Sequence, residues 1–233
     1  MTAQQIPLSF EHRHALDAED FVVADANRDA VAWLDRWPDW PGRSLALYGP
    51  AASGKSHLAH VWRLRSGAQV IAAHDLTVAN VIDALGSDHR LVVEDADRGV
   101  DEEALFHIIN LIREEEGFLM LTGREAPARW SVDLPDLASR LGAIPAVAVT
   151  APDDDLLAAV LAKLFDDRQL KVADDVVDYI VMRMERSFSA VGSLVESLDS
   201  LSLAERRNIT VPLARRVLEQ QESTRRDEAW TSD

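Results

Sequence analysis

The residues best equipped for chemistry are Gly49-Pro50-Ala51-Ala52-Ser53-Gly54-Lys55-Ser56, a G-x-x-x-x-G-K-S spacing. Gly49 and Gly54 allow the backbone to close into a concave nest of N–H groups, an arrangement that holds oxyanions. Lys55 would reach the β- and γ-phosphates of a nucleotide, and the Ser56 hydroxyl would ligate Mg²⁺. The chain has 3 lysines against 21 arginines, so a lysine at this position is not background. Three acids, Glu94, Asp95 and Asp97, follow the apolar run Leu91-Val92-Val93. Carboxylates at the C-terminal edge of a buried parallel strand sit where such sheets bind ligands. One can hold Mg²⁺ through water and the next can orient an attacking water, although three acids also suit a plain turn. Thr122 ends another apolar run, where its hydroxyl could touch the γ-phosphate or that water. Arg140 stands between apolar positions of a short helical pattern, either as a surface residue or as an arginine offered to a phosphate on another subunit.

These groups need a parallel sheet to bring them to one edge. Ser44 to Tyr48 reads as the strand before the phosphate loop, with a helix from His57 after it. Further strands are expected at Ala68–Ala72, Arg90–Asp97, Gly117–Thr122 and Ala146–Val149. Helices are expected over Leu76–Leu85, Asp101–Glu115 and Pro135–Leu141. Ahead of the loop, Phe21-Val22-Val23 with Ala24 to Asn27 forms an apolar stretch ending in helix-capping residues. Its apolar atoms could line a base pocket or simply belong to the core. The composition changes at Thr150-Ala151-Pro152-Asp153, a linker-like stretch, and four helical stripes follow. From Gln221 to Asp233 the tail is polar enough to fray. The resulting fold class is α/β: a P-loop domain with a five-stranded parallel sheet, then a small all-α bundle. Three segments are expected: a peptide at 1–12, the α/β domain at 13–150 and the helical domain at 151–233.

Composition narrows the partners. Of 233 residues, 47% are hydrophobic and 27% charged, as in globular proteins, and there is no cysteine for a disulfide or thiolate metal site. No apolar run approaches the roughly 20 residues that span a bilayer, so a cytoplasmic protein without membrane contact is expected. The net charge is −16, with 23 acids to 13 bases in residues 1–150 and 17 to 11 thereafter. Neither part offers the basic surface that holds nucleic acid, so the expected partner is protein. Gln5-Ile6-Pro7-Leu8-Ser9-Phe10 fits that expectation. Pro7 keeps Ile6 extended, leaving Leu8 and Phe10 as anchors on a peptide that either docks in a partner's pocket or packs on its own domain. His57 and His60 share a helix face, but without further ligands they read as a solvated or packing pair.

Phosphate loop, acidic strand end, polar strand end, helical arginine and C-terminal helical lid occur here in the order of an AAA+ ATPase. More specifically, the chain resembles the DnaA family of bacterial replication initiators, within its shorter Hda branch. The most telling residues are Phe21-Val22-Val23 with Asn27, Gly49 to Ser56, Leu134 to Leu141 and Ile209-Thr210-Val211-Pro212. The resemblance implies that Gly49, Pro50, Ala51, Ala52, Ser53, Gly54, Lys55, Ser56 and His57 bind the phosphates of ADP or ATP. It places Phe21, Val22, Val23 and Asn27 beside the base, with Glu94 and Asp95 at the Walker B positions and Glu94 holding Mg²⁺ through water alongside Ser56. Thr122 or Gly123 takes the sensor-1 position, and Arg140 is implied as an arginine finger acting in trans on ATP held by DnaA. Gln5, Leu8 and Phe10 resemble a peptide that binds the DNA polymerase sliding clamp.

Two departures accompany the resemblance. The family usually has Asp where Glu94 stands. The third lid helix offers no sensor-2 arginine in Phe188-Ser189-Ala190-Val191, with Arg186 about one turn away. Weak or absent ATPase activity of the chain alone is therefore expected. A counterpart of the initiators' helix-turn-helix domain is not read after the lid, so no strong direct DNA binding is expected, while a homodimer stays open. An autonomous AAA+ ATPase acting as helicase or clamp loader is the competing expectation, and a small-molecule kinase a more distant one.

Overall fold

The computed structural model describes residues 23–205 and 207–230. The peptide read at Gln5, Leu8 and Phe10, and the residues Phe21 and Val22, lie outside the described residues. The chain divides into two compact units, one ending at Thr150 and the other beginning at Ala151.

The first unit is an α/β layer built on five parallel strands in the order β2-β3-β4-β1-β5. In chain order the elements are α1 (Arg28–Asp35), β1 (Ser44–Tyr48), α2 (Lys55–Ser66), β2 (Gln69–Ala72), α3 (Val81–Leu85), β3 (Arg90–Glu94), α4 (Glu102–Glu114), β4 (Phe118–Gly123), α5 (Pro135–Gly142) and β5 (Ala146–Ala148). Strands β3 and β4 read as unbroken apolar runs because both their faces are covered. Alternation within β4 sorts the layers: Leu119 and Leu121 pack with α4 and α5 through Leu105, Ile108, Leu137 and Leu141. Phe118 and Met120 pack instead with α1 and α2 through Ala30, Leu34, Leu58 and Trp62. Each such aliphatic side chain, once buried, contributes about 1.5–3 kcal/mol, so both faces hold the sheet rigidly under its C-terminal edge.

Three local readings are corrected. A single helix over Leu76–Leu85 does not form: short 3₁₀ turns at Ala73–Asp75 and Val78–Asn80 precede the five-residue α3. The Asn80 side chain accepts from the Thr77 N–H (2.9 Å) and donates to the Asp75 carbonyl (2.8 Å), competing with the helical backbone pattern. Asn27 stands at the N-cap position of α1, but its side chain makes no capping bond to the helix: it is buried and its Oδ1 accepts from the Ala24 N–H at 2.9 Å. At the other end the backbone from Gln221 does not fray but continues as helix to Trp230, in a run rich in Glu, Gln, Arg and Ala, all good helix formers.

The second unit is a four-helix bundle of α6 (Asp154–Asp167), α7 (Asp174–Val181), α8 (Phe188–Glu205) and α9 (Val211–Trp230). Asp153 caps α6 by accepting from the Leu156 N–H at 2.8 Å. Leu157, Leu161, Phe165, Ile180, Val191, Leu194 and Val217 share its core. Arg186 is held within this unit by Asp154, at 3.0 Å.

Candidate functional site

The loop between β1 and α2 takes the nest-like path that its glycines permit, with one surprise. Gly49 and Gly54 have positive φ, 154 and 101, and so does one residue with a side chain, Ala52, at φ 58. An alanine held there costs about 1–2 kcal/mol, a strain that the surrounding loop must offset. Gly49 is required by closeness as much as by angle: a Cβ on it would lie 2.0 Å from the Val149 carbonyl oxygen. The Gly49 N–H donates to the Gly123 carbonyl (3.1 Å), so the loop leaves the sheet pinned between the ends of β4 and β5.

Lys55 is 7% exposed and donates from Nζ to the carbonyls of Gly49 (2.9 Å) and Pro50 (2.7 Å). The ammonium is thereby folded over the mouth of the loop. Burial pushes its pKa below the ordinary 10.5; Asp95 and Asp97 oppose that shift, and Arg124 adds to it. The Ser53 hydroxyl is buried with no hydrogen-bond partner among the described residues. A buried ammonium, an orphaned hydroxyl and a concave run of backbone N–H groups fit a polyphosphate, which would occupy all three. Ser56 is exposed in the first turn of α2. His57, next along, has its pKa lowered below 6.5 by burial first and by His60 second, which favours the neutral ring.

The acids sit opposite. Asp95 and Asp97 both act electrostatically on Lys55, and Glu94 ends β3 half-buried. Thr122 is 1% exposed, and its Oγ1 accepts from the Asp95 N–H at 3.0 Å. It therefore sets where Asp95 begins, at φ 52, a bracing contact that reading it as a strand-end hydroxyl did not anticipate. Asp97 Oδ2 accepts from the Arg124 N–H at 2.7 Å, while its Oδ1 is buried without a partner among the described residues.

Sequence reasoning gave no role to Asp97 or Arg124. The third acid of the cluster was a signal for the first. For Arg124 the signal was weaker: a basic residue directly after the strand that neighbours the loop strand.

The Thr150 N–H donates to the Ala26 carbonyl (3.2 Å) and the Val149 N–H to the Tyr48 carbonyl (2.7 Å). The segment Val23–Asn27, the end of β5 and the start of the phosphate loop are thus stitched together. Arg140 lies elsewhere, half-exposed on α5, with its guanidinium 4.8 Å from the centre of the Phe106 ring on α4. It has no hydrogen-bond or ion-pair partner among the described residues. The Glu102 carboxylate accepts from the Asp133 N–H (2.9 and 3.0 Å) and the Leu134 N–H (2.9 Å), fixing the chain that enters α5. Among the described residues no group of three or more His, Cys, Asp or Glu is placed to hold a metal alone. Mg²⁺ at Ser56 and Glu94 would need a nucleotide's own oxygens to complete its shell.

Comparison with known proteins agrees with this architecture. Residues 153–218 match the family model described as Hda, lid domain. An uncharacterized protein of Haemophilus influenzae is 23% identical over 184 residues, covering 74% of this chain and 80% of its own. Domain III of the Thermotoga maritima replication initiation protein DnaA superposes with a TM-score of 0.70 at 17% identity, over 86% of this chain and 94% of that domain. AMPPCP-bound DnaA from Aquifex aeolicus gives 0.61 at 20% identity, over 81% of this chain and 68% of that one. The RuvB Holliday junction branch migration motor of Thermotoga maritima gives 0.63 at 16% identity, over 76% and 61%.

Proposed function

The chain is an Hda-like AAA+ protein, its P-loop unit sharing the fold of DnaA domain III, and from that premise we propose that it is an adenine-nucleotide-binding adaptor that switches off DnaA. It holds ADP or ATP with Mg²⁺ in the Gly49–His57 loop, with Phe21, Val22, Val23 and Asn27 beside the base. It is tethered to the DNA polymerase sliding clamp through Gln5, Leu8 and Phe10. From there it offers Arg140 to the triphosphate held by DnaA, and hydrolysis of that ATP ends initiation.

The observation that carries this reading is Arg140. It is a half-exposed guanidinium resting on an aromatic ring, on a helix whose entry is fixed by Glu102, and it has no acid to neutralise it among the described residues. An arginine supplied in trans stabilises the charge that develops on the transferring phosphoryl group and raises its rate by about 10³–10⁵-fold. Support for nucleotide binding comes from the buried Lys55, the orphaned Ser53 hydroxyl and the AMPPCP held by a DnaA of the same fold. Within the chain, Lys55 would bind and orient the phosphates, Thr122 fixes the backbone of Asp95, Glu94 would hold Mg²⁺ through water, and Asp95 would orient the attacking water. Mg²⁺, when bound, neutralises charge on the phosphate oxygens.

Steady-state turnover by the isolated chain, set beside hydrolysis of DnaA-bound ATP in its presence, tests the proposal. Little turnover alone and strong stimulation of DnaA are expected. Robust turnover alone without stimulation would replace the adaptor with an autonomous motor.

A further inference from the structure

Strand β2 is the unguarded edge of the sheet. It pairs with β3 on one side and, among the described residues, has no strand neighbour on the other. Such an edge offers unpaired backbone N–H and C=O groups, which monomeric proteins blunt with charge, proline or a covering segment. The opposite edge, β5, has such devices: it is three residues long, Pro145 precedes it, and the Ala26 carbonyl takes the Thr150 N–H just beyond it. β2 reads Gln69-Val70-Ile71-Ala72, with neither a charge nor a proline.

The side chains around β2 share this exposure. Among the described residues of the first unit, the exposed large apolar side chains are Leu64, Val70, Val78 and Ile82, all within the stretch that contains β2. Val70, 45% exposed, pairs in register with Val92 on the face covered by α1 and α2, while Ile71 packs on the other face with α3 and α4. Ile82, 69% exposed, belongs to α3, which packs against β2. Apolar side chains gathered along an open edge mark a contact surface, whereas scattered ones would not.

Charge selects the occupant. At a net charge of −16, two copies of this chain repel each other across most of their surface. Between positions 64 and 82 the only charged residues are Arg65 and Asp75, so a second copy meets no such barrier here. The charges that flank β2 also set a direction. Arg65 stands in the last turn of α2, just before β2, and Arg90 donates to the Ser66 carbonyl beside it. Asp35, 3.9 Å from Arg65, and Asp88, near Gly67, bring that end close to neutral. The far end is acidic, with Asp75 after β2 and Glu94 closing β3. Antiparallel pairing of two β2 strands sets each acidic end against the end that bears the arginines, whereas parallel pairing would set acid against acid. Antiparallel is also the direction that a two-fold axis across the strand pair gives.

We propose that β2 is a homodimer interface, on which a second copy of this chain lays its own β2 antiparallel and joins the two sheets into one. Four strand residues make a small contact, so Leu64, Val78 and Ile82 supply the rest of the buried surface. β3 and β4 separate β2 from β1, which leaves both phosphate loops open. The two C-terminal sheet edges then face opposite directions.

The test is sedimentation velocity of the full chain without nucleotide, from about 1 to 100 µM, beside Val70→Lys. It is joined by cross-linking of Val70→Cys and Ala146→Cys, each the sole thiol in a chain that has no cysteine. At the upper concentration the unaltered chain should reach twice its 25.8 kDa. Val70→Lys occurs twice in a two-fold interface and sets like charges across it, so it should raise the dimer dissociation constant by about 100-fold. A short bis-maleimide should join Val70→Cys chains in pairs and leave Ala146→Cys, on the opposite edge, single. A chain that stays monomeric at the upper concentration overturns the proposal. So does a dimer that Val70→Lys leaves intact, or one that cross-links through Ala146→Cys instead. Melting at the lowest concentration, where the dimer is dissociated, keeps loss of fold apart from loss of contact. Val70 is exposed, so Val70→Lys should melt within about 2 °C of the unaltered chain, and the cross-linking pattern decides if it melts lower.

Discussion

Replacing Arg140 by alanine separates a functional guanidinium from a structural one, because the two roles differ greatly in size. Among the described residues the Arg140 side chain rests on the Phe106 ring, 4.8 Å from its centre. A cation–π contact at such an exposed site is worth about 0.5–1 kcal/mol. In a chain of this length that lowers Tm by no more than about 4 °C. As a finger acting on a partner's triphosphate the same group is worth about 10³–10⁵ in rate, equivalent to about 4–7 kcal/mol at the transition state. The assay is single-turnover hydrolysis of radiolabelled ATP prebound to DnaA, with clamp loaded on DNA and this protein in excess. Arg140→Ala should abolish at least 99.9% of the stimulated rate, by the same range, while melting, nucleotide retention and clamp pull-down stay near those of the unaltered chain. Arg140→Lys, which keeps the charge but not the planar fork, should recover little. Stimulation within a few-fold of the unaltered protein would refute the reasoning and return Arg140 to its place on Phe106.

The remaining predictions concern other parts of the molecule. Replacing Gln5, Leu8 and Phe10 together by alanine should remove clamp capture in a pull-down without changing nucleotide binding, and undiminished capture would show that the contact lies elsewhere. Gly49→Ala pushes a Cβ to 2.0 Å from the Val149 carbonyl oxygen; overpacking of this kind costs about 1–3 kcal/mol or more, so melting should fall by several degrees and nucleotide retention with it. His57, with a folded pKa below 6.5 owing to burial and then His60, resists a proton that the unfolded chain accepts. Stability should therefore fall as pH drops below about 6.5, and His57→Gln should flatten that part of a melting-versus-pH curve. An unchanged curve would remove His57 as the cause.

Much of the α/β unit was legible because fully buried strands announce themselves as apolar runs: Leu91 to Val93 and Phe118 to Leu121 could hardly be solvent-facing. The tight loop between β1 and α2 was legible because Gly49 is dictated by a backbone approach that admits no side chain. The region around Leu76 misled because its apolar residues suit a helix, while the polar side chains of Thr77 and Asn80 bond locally and divide it into turns. Asn27 misled in the same manner, its amide turning back to Ala24 rather than forward onto α1. Within the site, the left-handed Ala52 and the bracing of Asp95 by Thr122 left no trace in residue type. They follow from contacts between strands distant in sequence. Arg124 escaped notice because an exposed arginine after a strand is ordinary until the register sets it beside Gly49.

The account turns on transfer of a guanidinium between molecules, and an omission series measures that most directly. DnaA carrying labelled ATP, clamp loaded on DNA and this chain with nucleotide are combined, and conversion of ATP to ADP is followed as each component is left out in turn. The prediction is rapid conversion only when all are present, with a slow rate common to every omission. Conversion that proceeds equally well without this chain, or fails to accelerate in the complete mixture, would contradict it.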